Sequence, residues 1–298
     1  MKSSTVAAVE VSLLIQTRSR QRWRGLGKFL SVPTTVFACA VLSMFVLIAL
    51  LPELFAPYGE NESTRNYLSS PSADHWFGTD QLGRDVLSRV IFGGRESFIV
   101  GILAVSMGTL LGSAIGVTSG FFKGYVDNVF QRIVDVLMSL PGILMALVIA
   151  TGLGASLFNV SVAIAIAILP TSARVVRGAT LSVTAMPYLE ASRSVGAGHL
   201  RMLVRHVLPN VSAPIIVIAS VQLGFAIIAE ASLSYLGLGV PLGTSTWGSM
   251  LSGSSLLYVQ KAPWLGLAPG IALTLVIVAT NLLGDALRDA WDPRLRGR

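Results

Sequence analysis

A chain that hydrolyses ATP or holds a metal needs particular side chains at particular spacings, and this one lacks them. The phosphate-cradling pattern G-x-x-x-x-G-K-[ST] is absent, because the one Gly-Lys pair, Gly27-Lys28, is followed by Phe29. The three histidines, His75, His199 and His206, are scattered and form no H-E-x-x-H. Cys39 is the only cysteine, so neither an intrachain disulfide nor a cysteine metal site can form. No catalytic constellation is found. Two features remain that could do work. One is a polar, glycine-broken segment between two apolar runs, residues 187–210. The other is an acid, Glu230, set in apolar surroundings.

The segment reads Pro187-Tyr188-Leu189-Glu190-Ala191-Ser192-Arg193-Ser194-Val195-Gly196-Ala197-Gly198-His199 and runs on to His206-Val207-Leu208-Pro209-Asn210. Pro187 suits a helix start, and Glu190 falls in the first turn, where the helix dipole favours an acid. Gly196 and Gly198 break that helix. A second short helix follows, with Leu200, Leu203, Val204, Val207 and Leu208 spaced as one buried stripe and Pro209 as its limit. Such a helix pair must bury its apolar side on something. The bilayer interface and a groove on another protein are both open.

The elements that hold this segment are long runs without charge. The chain is 53% hydrophobic and only 12% charged, with a mean hydropathy of +0.70. Soluble domains carry about 25% charged residues. Residues 29–52, 97–122, 136–173, 206–229 and 262–284 have none. A crossing helix needs roughly 20 apolar residues, so the 38-residue run divides at Gly152-Leu153-Gly154-Ala155-Ser156. Six transmembrane helices result, at 33–51, 98–120, 130–151, 157–176, 212–233 and 266–286. The fold class expected is an all-α membrane protein. The first run is too long for a secretory leader and no A-x-A site follows it, which predicts an uncleaved anchor. Of the 22 Lys and Arg residues, 17 fall on the side of the chain ends, which predicts cytoplasmic termini. The net charge of +7 is then a topology signal and calls for no nucleic acid. The chain divides into a basic segment 1–32, a first helix with an external loop 33–97, a core 98–288 and a tail 289–298.

Within the second span Gly108, Gly112, Gly116 and Gly120 recur every four residues on one helix face. Lipid gives helices no hydrophobic push together, so such a face is a packing seam, or one that also slides. Pro141 and Pro170 each remove a helix hydrogen bond and kink spans three and four. Tyr235, Trp247, Tyr258 and Trp264 in the external loop 234–265 suit the lipid headgroup zone. Glu230 is expected to reach the aqueous boundary or meet a cation of a partner subunit, with a place on a translocation path as the alternative.

Glu190-Ala191-Ser192, then three residues, Gly196, nine residues and His206-Val207-Leu208-Pro209 resembles the EAA loop of binding-protein-dependent ABC importer permeases. Ser192 and His206 depart from that family's commonest residues, and Arg205 through Asn210 is similar to the run found in the peptide/nickel branch. Phe77-Gly78-Thr79-Asp80-Gln81-Leu82-Gly83-Arg84-Asp85, the segment 229–239 and the segment 281–289 resemble the C-type dipeptide permease subunit. The similarity covers about residues 33–293, with the first 30 unmatched.

The resemblance implies a type I importer fold and a channel-forming role by alternating access. It implies a second permease subunit, two ATP-binding subunits that hold ATP and Mg, an external solute-binding protein, a bacterial inner membrane with its lipid, and no cofactor on this chain. By position it assigns Glu190, Ala191, Ser192, Gly196, Leu200, Leu203, Val204, His206, Leu208 and Pro209 to the loop that docks an ATPase. Cargo would be peptides, or nickel complexes, glutathione or opine-like compounds. The rival is a secondary transporter driven by an ion gradient, for which Asp127 and Asp135 would be the acids to inspect.

Overall fold

The structure, a computed structural model, describes residues 32–241, 243–252 and 257–291. Most of the expected basic N-terminal segment and the end of the expected tail lie outside the described residues. What is described is helical, with two isolated β-bridges in the segment before the second long helix.

α1 (Pro33–Leu50) starts on a proline and is followed by the single turn α2 (Pro52–Phe55). α3 runs 37 residues, Val86–Phe122, from an Asp85 cap that accepts the Ser88 amide. At 1.5 Å per residue that is about 55 Å, far more than a hydrocarbon core of about 30 Å. The sequence placed this span at 98–120. The helix starts twelve residues earlier because freedom from charge marks the lipid-embedded part of a helix, and Arg89, Arg95 and Glu96 extend it beyond. The domain boundary expected at 97/98 therefore falls inside α3.

The third crossing differs most from expectation. In place of one helix over 130–151 there are two, α4 (Gly124–Met138) and α5 (Gly142–Leu153), bent by 86°. Pro141 has no N–H, and its ring pushes Leu140 out of the helical region. Charge-free composition cannot register such a break. With the bent pair as one crossing there are six; five other helices are long and apolar enough to cross singly.

Gly154, at φ +83°, and the Ser156 cap then turn the chain into α6 (Leu157–Thr184), which continues through Pro170. α7 (Pro187–Ser194), the short α8 (His199–Met202) and a π-turn over Leu203–Val207 lead into α9 (Leu208–Tyr235). A buried short helix, α10 (Trp247–Leu251), precedes the last long one, α11 (Trp264–Trp291).

α3 and α6 form the most extensive helix pair. A Cβ on Gly108 would lie 2.6 Å from Ala165 O, and one on Gly112 2.6 Å from Leu169 O. At Gly116 it would strike Ala173 O, and at Gly120 it would lie 3.0 Å from Arg177 O. The four glycines thus meet four successive carbonyls of one face of α6, backbone against backbone.

Around this pair lie three apolar clusters. The central one joins α3, α5, α6 and α9 through Val100, Ala146, Ile164 and Leu233. The second centres on Trp247, which is fully buried, stacks edge-on against Phe45 and Phe98, and donates to Val90 O at 3.0 Å. The headgroup position expected for Trp247 is therefore corrected. Its short helix folds back into the bundle because Gly94 and Gly248 leave room for the indole and for the α9 backbone. Tyr235 remains exposed, and Trp264 donates to Thr79 O. The third cluster lies under the 187–211 segment.

Because the carbonyls of α6 cannot retreat, Gly116→Ala is expected to destabilise the bundle by about 2 kcal/mol. Gly152→Ala, where nothing lies within 4 Å, is expected to leave stability unchanged. Thermal unfolding of the detergent-purified variants distinguishes the two.

Candidate functional site

Residues 187–211 form an elbow between α6 and α9. Pro187 begins α7, Glu190 stands in its first turn and Arg193 in its last. The chain then reverses at Gly196, with φ +81°. There the Gly196 amide donates to Arg193 O (2.9 Å) and the Ala197 amide to Ser192 O (3.1 Å), closing the helix end. No atom lies within 4 Å of a Cβ built on Gly196, so this glycine is needed for its backbone angle alone.

Pro209 does not end the second helix as the sequence suggested. It occupies the first turn of α9, and helix runs on from His199 to Tyr235 through the π-turn. A proline ring presses on the carbonyl four residues back, here that of Arg205, and the ladder widens just before it. The widened turn also breaks the expected buried stripe. Of its residues only Val207 is fully buried; Leu203 is half-buried, and Leu200 (77% exposed), Val204 (54%) and Leu208 face outward. Leu189 and Met202, which the stripe omitted, supply the buried anchors instead, against Val117, Phe121, Val176 and Val183.

The result is a rigid back and a free apolar front. His206 stacks near Tyr188 at 6.1 Å, and Asn210 donates both to the Tyr188 hydroxyl (3.2 Å) and to His206 O (2.6 Å), clamping α7 to the root of α9. On the front, Val195, Leu200 and Val204 are exposed, while Glu190, Ala191 and Gly196 are also open to the surface and Ser192 is half-buried.

Behind the elbow stands an ion-pair frame that sequence reading missed. Arg177 grips Asp127 with two bonds of 2.6 Å, Ser119 donates to the same carboxylate, and Arg174 meets Asp135 at 2.7 Å. These bonds lock the amphipathic α4 across the ends of α3 and α6. The arginines read as topology signals are structural ties as well. The only available signal was the pair of acids eight residues apart on one helix; their partners lie 39 and 50 residues away.

Glu230 does not reach an aqueous boundary within this chain, and among the described residues its bonded partners are hydroxyls. It is fully buried, and its two oxygens accept from Ser97 (2.8 Å) and Ser234 (2.7 Å), joining α9 to α3. In the external motif, Asp80 binds Arg84 (2.8 Å) and Arg89 (2.6 Å), and Asp85 pairs with His75 (3.0 Å). Those residues staple the segment 57–85 to the start of α3. Among the described residues no group of His, Cys, Asp and Glu could hold a metal ion.

Residues 108–297 match the family of binding-protein-dependent transport system inner membrane components. The chain belongs to this family. A glutathione transport system permease protein of Pectobacterium atrosepticum is 39% identical over 284 residues, 95% of this chain and 93% of the relative. A dipeptide transport system permease protein of Alkalihalophilus pseudofirmus is 39% identical over 258 residues, 86% and 84% of the two chains. A chain of the inward-facing methionine ABC transporter MetNI superposes with a TM-score of 0.56 at 17% identity, covering 68% of this chain and 97% of that one, which shows the shared fold. The protein is thus a multi-pass permease of the bacterial inner membrane, in the oligopeptide/dipeptide branch of ABC importers. The ion-driven rival is not favoured: Asp127 and Asp135, the acids it would use, are engaged by arginines.

Arg177→Ala and Asp127→Ala are each expected to lower thermal stability. The double variant should lose about 1 kcal/mol less than the sum of the two, the coupling of a partly screened, doubly bonded pair. A double-mutant cycle measured by thermal unfolding reads that coupling, and strict additivity would show the pair to be incidental.

Proposed function

We propose that this permease forms a translocation path with a second permease subunit, and that its elbow at 187–209 seats in a groove of a partner ATPase on the cytoplasmic side. Two such ATPases hold the ATP and Mg, and an external binding protein delivers the cargo. The cargo is a peptide or a peptide-like solute, as in the dipeptide and glutathione systems named for its relatives.

The observation that carries this reading is the elbow's divided surface. Leu189, Met202 and Val207 lock it to the bundle, while Val195, Leu200 and Val204 are left uncovered beside Glu190, Arg193 and Arg201. An apolar ridge ringed with charges on a rigid base suits insertion into a protein groove, where motion of the partner is passed on to the helices behind it. Those helices are α6 and α9, the two the elbow joins. Closure of the ATPase pair, transmitted through them, would switch the path from inward to outward opening. The Lys and Arg distribution supports the cytoplasmic placement of the elbow and of both chain ends. The chain itself has no phosphate loop, which supports ATP chemistry on a partner.

Topology is read by labelling. With Cys39 replaced by Ala, a cysteine at Val195 is expected to react with a membrane-impermeant maleimide only from the cytoplasmic face, and one at Tyr67 only from outside. The opposite pattern would invert the assignment.

Coupling is read in the assembled importer. Gly196→Val forces a β-branched residue to a left-handed angle, and Leu200→Asp with Val204→Asp puts charge on the ridge. Both variants are expected to insert normally but to lose uptake and binding-protein-stimulated ATPase activity by on the order of tenfold. Wild-type coupling in both would remove the elbow from the mechanism.

A further inference from the structure

The bend in the third crossing opens a cleft of about 290 Å³. Leu140 and Gly142 lie at the bend, Pro170 and Thr171 on α6, and Gln222 and Phe225 on α9. Each position is near the middle of its own helix or bent pair. Gln222 divides Leu208–Tyr235 nearly in half, Pro170 does so for Leu157–Thr184, and the break sits midway between Gly124 and Leu153.

Its polar groups are unengaged. Gln222, which lines the cleft, is only 7% exposed, yet none of the hydrogen bonds of the described residues involves its side chain. The N-terminus of α5 opens at the same place. No side chain caps it, since Pro141 stands at the cap, and only the Met145 amide is returned, to Pro141 O at 3.0 Å. Among the described residues the amides of Gly142, Ile143 and Leu144 have no backbone partner, at the positive end of a twelve-residue helix, and Gly142 lines the cleft. None of the cleft's lining residues is acidic or basic. An amide without a protein partner and a bare helix start both suit a ligand that carries oxygen acceptors.

We propose that this cleft is a subsite for the carboxylate end of a peptide-like solute in transit. The Gly142 amide at the start of α5 receives the carboxylate, and the Gln222 side chain bonds the adjacent peptide group. With no fixed counter-charge the hold is weak enough to release, as passage requires. The subsite rests on the peptide reading given above.

The test uses the complete importer in proteoliposomes, with its ATPases, partner permease and binding protein. Gln222→Leu and Gln222→Glu are compared with wild type for uptake of dialanine and of its C-terminal amide. Both variants are expected to assemble, read by co-purification of the ATPases and the partner permease. Gln222→Leu should lower dialanine uptake roughly tenfold, the effect of losing one or two hydrogen bonds to a charged or buried group. Gln222→Glu should depress dialanine uptake more than uptake of the amide, reversing the wild-type preference. If Gln222→Leu blocks assembly, Gln222→Met, of similar length and without the amide, takes its place. Wild-type uptake of both probes by these variants would overturn the subsite alone. A wild-type importer that takes up neither dialanine nor glutathione would overturn the peptide reading, and the subsite with it.

Discussion

The contact of α3 with α6 along Gly108, Gly112, Gly116 and Gly120 is the constraint on which the rest of the molecule depends. In lipid no hydrophobic force draws two apolar helices together, so what holds them is close packing. Removing four side chains from one face lets the carbonyls of Ala165, Leu169, Ala173 and Arg177 approach the backbone of α3. That approach sets where both ends of α6 lie. At one end it brings Arg177 within reach of Asp127 and starts the elbow from a fixed point. Farther along, α9 packs on the pair through the central cluster, which brings Glu230 to Ser97.

The buried polar groups follow the same logic. A carboxylate out of water must be bonded, and bonds from two sides also fix the elements that supply them. Asp127 ties three helices, Glu230 ties two, and Asp80 with Asp85 fastens the external segment to the head of α3. The groups left unengaged are correspondingly informative: the apolar front of the elbow, and the amides around the bend between α4 and α5.

A permease needs rigid bodies and places where they join. The structure divides along those lines. The α3–α6 pair is tightly packed along its length, while the third crossing is broken at Pro141 and α9 is wound more loosely at the π-turn before Pro209. The broken places are next to the cleft and the elbow. Pro170, by contrast, leaves α6 continuous.

The six crossings were legible in the residues themselves, because the bilayer excludes charge and a charge-free run of sufficient length has one stable place. The turn of the elbow was legible too, since Pro187 and Glu190 suit a helix start and Gly196 its end, and the glycine repeat announced a close-packed face without naming its partner. The sequence could not decide whether the third run was straight or bent by 86°, since an apolar stretch has the same composition either way. Nor could it decide that Trp247 and Glu230 are buried, that Arg177 holds Asp127, or that Leu200 faces outward while Met202 faces in. Those outcomes depend on which helix stands beside which. Proximity to lipid is a property of each segment alone, but a partner for a side chain exists only once distant segments have been brought together.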